Sequence, residues 1–122
     1  MKRDMDIVRK LLLYLEGEVD YKPLRSSDIA IGGYSDAQIG YHLGILADGG
    51  LIDVIDTNSM DSKVFSCFVK GITWQGHEFL DSVRDDGVWS HTMEKLKPLG
   101  SASLEIVKSV AIACITGKLG LS

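Results

Sequence analysis

Ser35-Asp36-Ala37-Gln38-Ile39-Gly40-Tyr41-His42-Leu43-Gly44-Ile45-Leu46-Ala47-Asp48-Gly49-Gly50-Leu51-Ile52 is the stretch that decides the fold. Ser35 and Gln38 have the spacing of a capping box, in which each side chain satisfies the other residue's backbone amide. Ile39, Leu43 and Leu46 recur at helical spacing and predict a buried stripe. Tyr41, Gly44 and Ala47 fall on the opposite side. Gly49 or Gly50 supplies the left-handed residue that ends such a helix. Leu51 and Ile52 then open an extended segment.

Upstream, Ile7, Val8, Leu11, Leu12 and Leu15 give residues 4–16 one apolar face, and Gly17 is a stop signal. Pro23 and Arg25-Ser26-Ser27 predict a loop, and the alternation of Ile29 and Ile31 with Asp28 and Ala30 predicts a short strand before Gly32-Gly33. Downstream, 51–57 and 64–72 read as two strands around the turn-rich 58–62, a hairpin with a polar tip. Thr73 caps a helix from Trp74 to about Arg84, which Asp85-Asp86-Gly87 breaks or bends. The apolar pattern continues through Val88, Trp89, Met93 and Leu96 to Pro98. A last helix runs from near Ser103 to Thr116. The Trp74, Gly76 and Phe79 group reads as structural, with Gly76 explained by a close backbone contact.

Ile39, His42, Leu43 and Leu46 followed by Asp48-Gly49-Gly50-Leu51-Ile52 resemble the recognition helix and wing entry of ArsR-type and MarR-type winged helices. Ile72-Thr73-Trp74-Gln75-Gly76-His77-Glu78-Phe79-Leu80 resembles the step after the wing in those domains. The whole chain also resembles a family of bacterial and prophage proteins catalogued as a domain of unknown function. The resemblance rests on Met1 to Asp6, Gly33-Tyr34-Ser35, Thr73 to Asp81, Arg84 to Asp86, and Val88-Trp89. The fold implied is α+β: a winged helix-turn-helix-like core (helix, short strand, helix, β-hairpin wing) with additional C-terminal helices. A single domain over 1–122 is expected, with the core in 1–86 and a C-terminal helical extension in 87–122. One departure is that Tyr21 to Tyr34 must hold the supporting helix of a helix-turn-helix, yet contains Pro23 and two glycines.

Charge bears on function separately. The 122 residues carry a formal net charge of −4, and no lysine or arginine lies between Ser26 and Ser62. Duplex binders gain much of their affinity by neutralising phosphates with Lys and Arg. The winged-helix resemblance implies a small phage- or mobile-element-linked transcriptional regulator that touches double-stranded DNA. Its candidate contacts are Gln38 to adenine, Tyr41 to phosphate, Lys63 on the wing, and Lys22 and Arg25 from the preceding loop. The charge favours the alternative, a protein-interaction module on the same scaffold that does not bind DNA. Ile106, Val107, Val110, Ala111, Ala113, Cys114 and Ile115 make the last helix apolar beyond one contact face. A homodimer through Ile106, Val110, Ala113 and Cys114 is therefore expected.

Catalytic, metal and cofactor chemistry find no foothold. His77-Glu78 does not extend to His-Glu-x-x-His, because position 81 is Asp81. His42, His77 and His91 lack ligand spacing. No phosphate loop, nucleophile elbow or dinucleotide motif is present, so the chain reads as a non-enzyme without cofactor or metal. The longest apolar run, Val110 to Ile115, is far short of the ~20 residues that span a bilayer. The acidic start does not read as a signal peptide, and Cys67 and Cys114 make no disulfide framework. These features point to a cytoplasmic protein.

Overall fold

The computed structural model describes residues 1–57 and 64–121. The chain is α+β and forms two compact units, Met1–His77 and Glu78–Ser122.

In the first unit, α1 (Met5–Glu18) begins at Asp4, whose carboxylate accepts the Asp6 and Ile7 amides at 2.8 and 3.4 Å. Its predicted stripe is almost wholly buried, with Leu11 and Leu12 at 0 % exposure. Each such side chain contributes about 1.5–3 kcal/mol by leaving water. α1 packs on α2 (Asp36–Asp48) and on β3 (Cys67–Ile72), while α2 packs on β2 (Ile52–Asp56). The sheet is antiparallel with order β1-β3-β2, β1 being Leu24–Arg25. The register runs Leu24 to Val69, Ile52 to Ile72 and Asp56 to Cys67, with an irregularity at Asp53/Val54. Ile39, Leu43, Leu46, Leu51, Cys67 and Val69 complete this unit's core.

Three local expectations are corrected. Ile29-Ala30-Ile31 is not a strand; the strand lies earlier, at Leu24–Arg25. The ladder ends because the Ser26 hydroxyl accepts the Cys67 amide at 3.0 Å and the chain winds into a 3-10 turn, Ser26–Asp28. That turn is all that stands where a supporting helix was sought. Ile29 is buried as a single plug, and three alternating residues were too few to define a strand. The strand expected from Val64 begins only at Cys67, because Val64 and Phe65 lie against α2 instead. Trp74 is 76 % exposed and belongs to no core.

Gly76 does make the expected close approach, facing the Leu51 carbonyl and the Ile72 side chain. The Thr73 hydroxyl caps α3 (Trp74–Val83) by accepting the Gly76 amide at 3.1 Å, and donates to the Gly50 carbonyl at 2.6 Å. The boundary between the units falls within α3.

In the second unit, α4 (Asp86–Leu96) packs on α5 (Leu104–Leu119). Asp85 breaks the chain between α3 and α4 by capping the Val88 amide at 2.8 Å. That bond, reinforced by Lys118 at 3.5 Å, holds the Asp85 carboxyl below its usual range. α5 outlasts its expected end at Thr116 and stops at Gly120, which takes φ 70°. Phe79, Leu80, Val83, Val88, Trp89, Val107 and Ala111 are buried. No described helix is long and apolar enough to cross a membrane.

Both cysteines are free. Burial, aided by the Asp56 charge, pushes the Cys67 thiol up to about 11. The thiolate is the reactive form, so maleimide or iodoacetamide at neutral pH is expected to spare Cys67 in the native protein and label it once denatured. Mass mapping of native and denatured samples checks this, and labelling of Cys67 in the native state would contradict it.

Candidate functional site

The surface around α2 is where the sequence places a nucleic-acid reader, and its side chains are largely committed elsewhere. The capping box forms: the Ser35 hydroxyl accepts the Gln38 amide at 3.1 Å, and the Gln38 side-chain oxygen accepts the Ser35 amide at 2.9 Å. Gln38 therefore cannot offer adenine the paired donor and acceptor of a free glutamine without opening its own helix start. Tyr41 is half-buried, its ring edge-on to His42 at 5.5 Å between centroids.

Gly40 and Gly44 share that face with Gln38, Tyr41 and the exposed Asp36 and Ala37. A Cβ at Gly40 would meet Val64 Cγ1 at 2.7 Å and the Phe65 carbonyl oxygen at 3.0 Å. At Gly44 it would touch the Phe65 ring at 3.5 Å. Two glycines one helical turn apart thus form a shallow channel, and the chain entering β3 lies in it. The Gly40-x-x-x-Gly44 spacing is the sequence signal that could have found this contact.

The candidate cations are spread out. Arg25 sits on the sheet with its guanidinium 5.7 Å from the centre of the Phe68 ring. Lys22 is exposed in the loop before β1, and Lys63 lies outside the described residues. Lys10 of α1, which the sequence did not single out, does reach the start of α2. Its ammonium bonds the Tyr34 hydroxyl at 3.2 Å and lies 5.1 Å from that ring's centre. That hydrogen bond raises the ammonium above its usual range.

His42 is packed and hydrogen-bonded, as its place beside the core stripe suggests. It is 1 % exposed, takes the Asp4 amide on Nε2 at 2.8 Å, and bonds the Gln38 carbonyl through Nδ1 at 2.7 Å. It is a structural tie, and among the described residues no group of three or more His, Cys, Asp or Glu is placed to hold an ion.

On α5 the four expected interface residues are accessible to different degrees. Ile106 is 47 % exposed, Ala113 is exposed, and Val110 and Cys114 are half-buried. Val107 and Ala111 face inward instead.

No solved structure matches the chain. A Haemophilus influenzae protein described as uncharacterized is 34 % identical over 120 residues, spanning 98 % of this chain and 99 % of its own length. The family model described as "Hypothetical protein (DUF2513)" matches residues 2–103. The chain belongs to this DUF2513 family.

Proposed function

We propose that this protein is a winged-helix-like module that acts through protein contacts, with α2 serving as a structural helix and not as a reader of duplex DNA. The observation that carries this is the occupation of the Gly40–Gly44 channel by Val64 and Phe65. A recognition helix has to present that face to base edges in the major groove. The charge agrees: α2 has Asp36 and Asp48 and neither lysine nor arginine. The partner is a second copy of the chain, met through the outward side of α5 at Ile106, Val110, Ala113 and Cys114.

Fluorescence anisotropy with random-sequence duplex at ~50 mM salt, where phosphate contacts are strong, tests the first part. The expected result is no saturable binding. Binding that weakens steeply as salt rises would restore the regulator reading, with Lys10 as a phosphate contact. Sedimentation tests the second part. A monomer at tens of micromolar, the order of magnitude at which a stable interface is populated, would remove the homodimer.

A further inference from the structure

The ring of His42 is closed on both sides by backbone groups that allow one protonation state. The Gln38 carbonyl can only accept, so Nδ1 carries the hydrogen of that 2.7 Å bond. The Asp4 amide can only donate, so Nε2 must offer a bare lone pair at 2.8 Å. The clasp therefore needs the neutral, Nδ1-protonated ring.

Asp4 is the hinge-point of two helices. Its amide is tied to α2 through His42, while its carbonyl accepts the Val8 amide at 3.1 Å and its carboxylate caps α1. The ring is 1 % exposed, so water is poorly placed to replace a lost partner. Asp4, on the N-terminal segment, and Tyr41, on α2, are titratable residues that touch it.

We propose that His42 is an acid-sensitive clasp that holds the N-terminal segment, with Lys2 and Arg3, against α2. A proton on Nε2 sets a donor against the Asp4 N–H, and that bond cannot survive. If the Asp4 carboxylate turned to take the new N–H, it would leave the Asp6 and Ile7 amides and strip the α1 cap. On either course the Asp4 amide is freed.

The test is hydrogen exchange at the Asp4 amide, read by NMR as a protection factor from about pH 8 downward until the fold melts. Protection is expected to fall about tenfold or more on acidification, while amides in the middle of α5 keep theirs, as local opening allows. His42→Gln can accept the Asp4 amide without titrating and is expected to flatten the pH dependence. Should that variant not fold, the ring nitrogen shifts of the wild-type protein decide alone. An Nε2-protonated neutral tautomer, or Asp4 protection that persists until the whole fold melts, overturns the proposal.

Discussion

Gly76→Ala is expected to destabilise the protein by roughly 3 kcal/mol, the upper end of what overpacking costs. The added methyl meets the Leu51 carbonyl oxygen and stands 2.5 Å from Ile72 Cγ2. A flexible side chain could move away, but the Leu51 carbonyl accepts the Thr73 amide at 3.0 Å and is fixed at the entrance to β2. Alanine regains only ~1 kcal/mol of helix propensity over glycine, so the clash decides the sign. Gly117→Ala is the control: it also lies inside a helix, with nothing within 4 Å of the added atom. There the propensity term acts alone, and a gain of about 0.5–1 kcal/mol is expected. Urea denaturation of the two variants beside the wild-type protein measures both. A neutral Gly76→Ala would mean that the Leu51 carbonyl can yield.

Leu43→Ala is expected to cost about 2–5 kcal/mol, with the exact value set by how far its surroundings collapse into the cavity. Leu43 is 0 % exposed and belongs to the buried stripe of α2 with Ile39 and Leu46. Ile45→Ala, two positions along and only half-buried, is expected to cost clearly less. The comparison tests whether α2 is oriented as described, because a rotation of the helix about its axis would exchange the two effects. The readout is the denaturation midpoint at constant slope.

The parts of the fold that were legible in the sequence are those whose signals are local. Ser35 and Gln38 announce their own capping box, Ser103 and Asp85 begin helices, and the stripes of α1 and α2 follow from period alone. What was illegible depends on residues far apart in the chain. Ile29 alternates with its neighbours like a strand residue, but β3 had already found its partners in Leu24 and Arg25. Trp74 looks like a core residue by type, yet its place at the start of α3 leaves it outside. At the candidate site, the missing positive charge on α2 could be read directly. The tie from His42 to Asp4 could not, since nothing in either residue's neighbourhood names a partner 38 positions away. The Gly40–Gly44 spacing could have pointed to a close neighbour, but not to which one.

The brief pairing of β1 with β3 has a consequence for the order in which the chain acquires structure. The Cys67 amide meets the Ser26 hydroxyl 41 residues away, so a large loop must close for two residues of strand. That gain is too small to precede the hairpin of β2 and β3, which joins nearer segments. β1 is expected to dock late, onto an edge that β3 has already built. During synthesis the first fifty residues must then wait, sheet unfinished, until β3 has left the ribosome.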